Sequence, residues 1–293
     1  MSVGELKSRV SGTIRASDGA ALRHLNASVV IGGILATGSI MLAILGPILA
    51  PYSPTEASPG QQLLPPSAAH WFGTDDVGMD VFSRVISAPR IDLGIALSAT
   101  VLALTVGTAI GGVAGYFRTW WSELIMRVSD LVQSFPVFIL AMVLVTITGQ
   151  EIWIVVVVIA FVNVPLYVRM IRAELLSLRE RTFVEAAIVL GVPPRRIIRR
   201  HLIPNVIGVV INQATITMGV AMLLTAGLSF VGAGVRVPTP EWGLMIATGA
   251  PSIVTGQWWP SVFPGVALSL SVFGFALFGD GVARMLGSRE RGG

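Results

Sequence analysis

Residues 182–205 read TFVEAAIVLGVPPRRIIRRHLIPN. Thr182 and Glu185 stand at the Thr-x-x-Glu spacing of a capping box, in which the hydroxyl accepts an orphan backbone N–H and the carboxylate reaches back to the cap. A helix is therefore predicted to begin there. Val184, Ala187, Ile188 and Gly191 share one face at i, i+3, i+4 and i+7, and Gly191 followed by Pro193 and Pro194 reads as a left-handed stop and a turn. Pro194 suits the opening turn of a second helix, in which Arg195, Arg196, Arg199 and Arg200 form a charged stripe. Ile197, Ile198, His201 and Leu202 lie about 200° round the axis and form the apolar stripe. Two short helices broken by a glycine turn, set between long apolar runs, predict a rigid knob projecting from one side of a membrane protein.

The surrounding composition agrees. Of 293 residues, 53% are hydrophobic and only 12% charged, where a soluble domain carries about 25% charged residues. With a mean hydropathy of +0.78 the chain reads as an integral membrane protein. The absence of cysteine excludes disulfides, thiolate zinc sites and iron–sulfur clusters. Lys7 is the one lysine, outside any Gly-rich context, so there is no P-loop with which the chain could bind ATP phosphates by itself. His24, His70 and His201 are far apart and without Glu-x-x-His pairing, which argues against a metal or acid–base centre.

Working outward from the knob, apolar runs at 28–50, 93–117, 131–148, 152–170, 206–231 and 262–278 predict six transmembrane helices, the third interrupted by Pro136. Gly107, Gly111 and Gly115 recur every four residues and predict a close helix contact. The prolines of 51–92 forbid a continuous helix, and the acidic cluster Asp75, Asp76 and Asp80 lacks calcium-loop order and reads as a structural turn. All but three of the 20 Lys and Arg, namely Arg84, Arg90 and Arg236, fall on the side of the N-terminus, so both termini and the knob are cytoplasmic. The pI near 10.3 thus reflects topology rather than nucleic-acid binding. The expected organisation is a cytoplasmic tail 1–27, a first helix 28–50, an extracytoplasmic loop 51–92, a five-helix core 93–282 and a cytoplasmic tail 283–293. The core carries a cytoplasmic loop 173–204 and an extracytoplasmic loop 232–260.

Glu185-Ala186-Ala187, Gly191 four residues after Ala187, and Ile203-Pro204 resemble the EAA loop of permease subunits in ABC importers. The run Arg200-His201-Leu202-Ile203-Pro204-Asn205 is similar to the dipeptide, oligopeptide and nickel branch. His70-Trp71-Phe72-Gly73-Thr74-Asp75-Asp76-Val77-Gly78-Met79-Asp80 resembles the HPLGTDxxGRD segment of the C-type subunit, with Met79 where the family has Arg. Leu228 to Gly234 and Pro238-Thr239-Pro240-Glu241-Trp242-Gly243 are similar to its LSFLGLG and PTPEWG segments, and Phe263-Pro264-Gly265 and Gly279-Asp280-Gly281 match its last span and exit. The resemblance implies an all-α polytopic membrane protein with the type I ABC importer permease fold. It implies that the knob is a coupling helix docking on an ATP-hydrolysing subunit through Glu185, Ala186, Ala187, Gly191, Arg195, Arg196, His201 and Pro204. It also implies a second permease, two ATP-binding domains that hold ATP and Mg, an extracytoplasmic solute-binding protein, and no cofactor in this chain. The cargo would be short peptides, with nickel chelates or haem as alternatives, at the inner membrane of a prokaryote.

Competing readings remain at particular residues. A basic amphipathic helix could rest on anionic lipid, and Glu185 could be a cap alone. Asn163, Asn212 and Gln213 either line a hydrophilic path or make interhelical hydrogen bonds. Asp280, near Arg284, reads as an end cap or interface group. A secondary transporter predicts inverted repeats and a buried midplane ionisable group, and a membrane enzyme predicts a convergent nucleophile or acid–base pair; the sequence shows neither pattern.

Overall fold

The computed structural model describes residues 27–117, 119–197, 200 and 203–290. The tails at 1–26 and 291–293, together with Arg118, Ile198, Arg199, His201 and Leu202, lie outside the described residues. The elements are α1 (Ala27–Leu49), α2 (Val81–Ser87), α3 (Pro89–Tyr116), α4 (Trp120–Gln133), α5 (Val137–Thr148), α6 (Ile152–Arg179), α7 (Thr182–Val189), α8 (Pro194–Ile197), α9 (Ile203–Phe230), α10 (Trp242–Ile253) and α11 (Trp259–Glu290). Helices α1, α2–α3, α6, α9 and α11 supply five apolar stretches long enough to cross a bilayer.

The sixth crossing differs from the single kinked helix predicted at 131–148. Helices α4 and α5 meet at 89° across Ser134, Phe135 and Pro136. Pro136 has no N–H to continue the ladder, and the Ser134 N–H and hydroxyl both turn back to the Leu131 carbonyl, at 3.3 and 2.7 Å, closing α4. The crossing also starts earlier than expected, at Trp120. Its inner end is tied to α3 where the Ser122 hydroxyl donates to the Ala114 carbonyl. At the outer end Gln150 Nε2 donates to the Gly232 carbonyl at 2.6 Å, so the pair traverses rather than re-enters.

Helices α3 and α6 form the tightest contact. A Cβ on Gly107 would meet Tyr167 Cβ at 2.4 Å, one on Gly111 the Val168 carbonyl at 2.7 Å, and one on Gly115 Leu175 Cβ at 3.0 Å. The four-residue glycine repeat therefore seats the backbone of α3 on α6 of the same chain. Because Gly111 faces main-chain atoms, Gly111→Val should cost about 1–3 kcal/mol of overpacking. The expected readout is loss of monodisperse protein in detergent, and a wild-type elution profile would contradict the contact. On the opposite flank α1 lies against α11, with Ser39 and Ser271 hydroxyls 2.7 Å apart in a buried contact.

The outer segments, read from sequence as two loops, are one welded cap containing α2 and α10. Asp75 Oδ1 accepts from Val77 N and Met79 N at 3.1 and 2.8 Å. Asp80 caps α2 through Ser83 N at 2.8 Å, while its other oxygen meets His70 Nδ1 at 2.8 Å. Both carboxylates are thus committed to the turn. Arg84, buried, donates to the carbonyls of Pro54 and Pro238 at 2.9 and 3.2 Å and lies 3.7 Å from Asp75. Met79 is buried with its thioether 2.6 Å from the Arg84 guanidinium, so this position contributes packing where the family places a charge. Trp259 Nε1 donates to Thr74 O at 3.0 Å and Trp242 Nε1 to Val85 O at 3.0 Å, joining the two segments.

Glu241 completes the weld. Its carboxylate caps α10 by accepting from Gly243 N and Leu244 N at 2.9 and 2.6 Å, next to Trp242, whose N–H donates to the buried Asp92 carboxyl at 3.3 Å. Burial pushes the Glu241 carboxyl above the usual carboxylate range. The folded form then holds more protons than the unfolded chain, so stability is lost as pH climbs through the raised value. The thermal midpoint should fall as pH rises above the usual carboxylate range, and fall less in Glu241→Gln, which has no proton to lose there. An equal fall in both chains would contradict the buried Glu241 carboxyl as its source.

Candidate functional site

The knob is built where α6 ends. Arg179 Nη1 donates to the Tyr116 carbonyl at 2.8 Å and its guanidinium lies 5.6 Å over the Tyr116 ring, pinning the inner end of α6 to that of α3. The chain then turns through Glu180 and Arg181 into α7, in which Thr182 is the first helical residue. Val184 N donates to the Arg181 carbonyl at 2.9 Å, so the helix starts one residue earlier than a Thr182 cap would place it. After Leu190 N closes on the Ala186 carbonyl at 3.0 Å, Gly191 takes φ 70°. This is the left-handed residue that the glycine implied. Helix α8 follows at Pro194, with Arg196 N and Ile197 N both reaching the Pro193 carbonyl.

Val184 and Ile197 have no exposed surface. They enter a second hydrophobic cluster, distinct from the main core, with Tyr116 of α3, Ile171 and Leu175 of α6, and Val206 and Val210 of α9. Each such burial contributes about 1.5–3 kcal/mol, so the two short helices, unstable alone, are held by the ends of three membrane helices. The knob is thereby packed against α3, α6 and α9 together.

The outward side has a different character. Ala186, Gly191, Arg196, Arg200 and Pro204 are exposed, and Val189 and Leu190 are 85% and 81% exposed at the tip. Val189 and Leu190 are thus an exposed apolar pair directly before the glycine turn, with exposed Arg196 and Arg200 on the segment that follows it. Glu185 and Ala187 lie on α7 and Arg195 on α8, while His201 lies outside the described residues. Pro204 belongs to the first turn of α9. Sequence reading passed over Val189 and Leu190, although an apolar pair directly before a glycine stop is a signal for an exposed tip.

The three polar residues considered for a path lie on α6 and α9. Asn163 is buried and donates to Ile159 O of its own helix at 2.7 Å, and Gln213 Nε2 lies 3.4 Å from Thr217 Oγ1, also on its own helix. Asn212 Oδ1 is enclosed with no hydrogen-bond partner among the described residues. Asp280 pairs with Arg284 at 2.7 Å on the surface of α11, whose helix continues to Glu290, so it is no end cap. What the sequence missed is a charged face on α4. Glu123 pairs with Arg172 and Asp130 with Arg169 of α6, each at 2.6 Å.

A family model described as the binding-protein-dependent transport system inner membrane component matches residues 85–292, from α2 past α11 and across the knob. The chain belongs to this family. The inner membrane component is a multi-pass membrane protein by its apolar helices. It is 40% identical over 257 residues to the dipeptide transport system permease protein DppC of Alkalihalophilus pseudofirmus, covering 88% of this chain and 84% of that one. It is 37% identical over 253 residues, 86% and 85% of the two chains, to the probable D,D-dipeptide transport system permease protein DdpC of Escherichia coli. With the glutathione transport system permease protein GsiD of Escherichia coli it shares 35% over 254 residues, 86% and 84% of the two chains.

Proposed function

We propose that this chain is a permease subunit of an ATP-driven importer of short peptides in the cell inner membrane. With a second permease it forms the translocation path. An extracytoplasmic binding protein delivers the solute, and two companion ATPase subunits hold ATP and Mg. The observation that carries the reading is the α7–α8 knob, whose Val184 and Ile197 root it in three membrane helices while Val189 and Leu190 stand exposed at its tip. Differential docking of that tip in two nucleotide states can shift the balance between two helix arrangements. Glu185, Ala186, Ala187, Gly191, Arg195, Arg196, His201 and Pro204 form the coupling segment around it. Peptide cargo is favoured because the relatives named above are dipeptide, D,D-dipeptide and glutathione permeases.

Co-reconstitution tests this. Proteoliposomes holding both permeases, the ATPase pair and the loaded binding protein should accumulate labelled dipeptide only with ATP, and this chain alone should hydrolyse none. Uptake driven by an ion gradient through this chain without companions would overturn the reading.

A further inference from the structure

Helix α4 lies at membrane depth. It shares an apolar groove of about 450 Å³ with α3 and α6, lined by Val106 and Ile110, Phe161 and Val168, and its own Leu124 and Val128. Val106 is ten residues, or about 15 Å, above the inner end of α3, and Phe161 nine residues, about 13 Å, below the outer end of α6. An apolar contact reaching the middle of a hydrocarbon layer about 30 Å thick places α4 inside that layer rather than on its surface.

At that depth the rest of α4 is out of keeping with lipid. Glu123, Arg127 and Asp130 fall within an arc of about 60°, while Leu124, Val128 and Leu131 form a neighbouring arc about 100° away. The Glu123 and Asp130 side chains are 68% and 55% exposed despite their partners Arg172 and Arg169, and Arg127 is exposed between them. Charged groups at membrane depth almost always face protein or a water-filled cavity.

Resting on the reading of this chain as an importer permease, we propose that the α4 face of Glu123, Arg127 and Asp130, with Arg169 and Arg172 of α6, lines the inner half of an aqueous path for zwitterionic peptides. A peptide carries an ammonium and a carboxylate, each costly to strip of partners. A ladder of both signs offers each terminus an exchange partner at successive turns, and because the fixed charges already neutralise one another, no deep trap forms. Passage needs sites strong enough to enter and weak enough to leave.

Cysteine scanning of the complete transporter decides the matter, since this chain has no cysteine of its own. Single cysteines at Glu123, Arg127 and Asp130, and at Leu124, Val128 and Leu131, are introduced, and assembly is checked by co-purification. Each is treated with a membrane-impermeant thiol reagent from the cytoplasmic side. The charged positions should react at least about tenfold faster than the apolar ones, because attack needs an ionised, water-exposed thiolate. Excess alanyl-alanine with ATP and binding protein should slow that reaction. Equal rates on both arcs would place α4 at the membrane surface, and a stripe that resists reagent would place it against a partner chain; either overturns the proposal. Peptide uptake by the transporter carrying the unsubstituted chain is measured alongside, so a stripe that fails to react while uptake proceeds removes this inference and leaves the importer reading standing.

Discussion

Gly191→Val should abolish most ATP-dependent uptake while the chain inserts and assembles at wild-type levels. Gly191 holds φ 70°, and among the described residues, its two chain neighbours aside, no atom lies within 4 Å of the position its Cβ would take. The penalty is therefore conformational, about 1–2 kcal/mol for an ordinary side chain in the left-handed region, and no repacking of neighbours relieves it. The turn relieves it by rotating, which swings α8 relative to α7 and misplaces Val189 and Leu190. A bias of that size changes a docking equilibrium by about five- to thirtyfold. Uptake per ATP hydrolysed, measured in proteoliposomes, should fall accordingly, and Gly191→Asn should retain far more function because asparagine tolerates this backbone. Uptake by the valine chain within about twofold of wild type, below the range a 1 kcal/mol bias produces, would show that the turn does not set the tip.

The second large effect belongs to the outer cap. Trp242 is fully buried, donates its indole N–H to Val85 O, and offers its backbone N–H to Asp92 at 3.3 Å. Trp242→Ala should cost about 3–5 kcal/mol, since the hole is bounded by α2, α3 and α10 and cannot collapse. Limited proteolysis should then cut within 232–241 under conditions that leave the wild-type chain whole, while the α7–α8 knob keeps its protection. An unchanged cleavage pattern would mean that the two outer segments are joined elsewhere.

Much of this architecture was legible because a bilayer imposes a coarse rule. Runs of about 20 apolar residues in a bilayer have to be helices. The knob was legible for a local reason, as glycine and two prolines in four residues leave few backbone choices. Helix α4 escaped because Glu123, Arg127 and Asp130 lower its hydropathy to that of a loop, and only its packing on α3 and α6 shows that it is embedded. Helix α10 escaped because it follows a proline-rich run and is short, and its cap, Glu241, needed Asp92 from 149 residues earlier to be understood. Asn163 was only half legible. A polar residue in an apolar helix signals a path or a partner from sequence, and its bond to the carbonyl one turn back on its own helix is visible only in the structure.

The central claim is that the exposed tip of the knob is gripped by a separate motor. Its most direct test is a cysteine at Leu190, paired in the assembled transporter with cysteines around the apolar pocket of the ATPase subunit, and oxidised in the nucleotide-free and ATP-trapped states. The account predicts cross-links in high yield, with a pattern that changes between the two states. A Leu190→Cys chain that transports normally, yet cross-links to no ATPase position and instead partitions a lipid-soluble quencher, would contradict it.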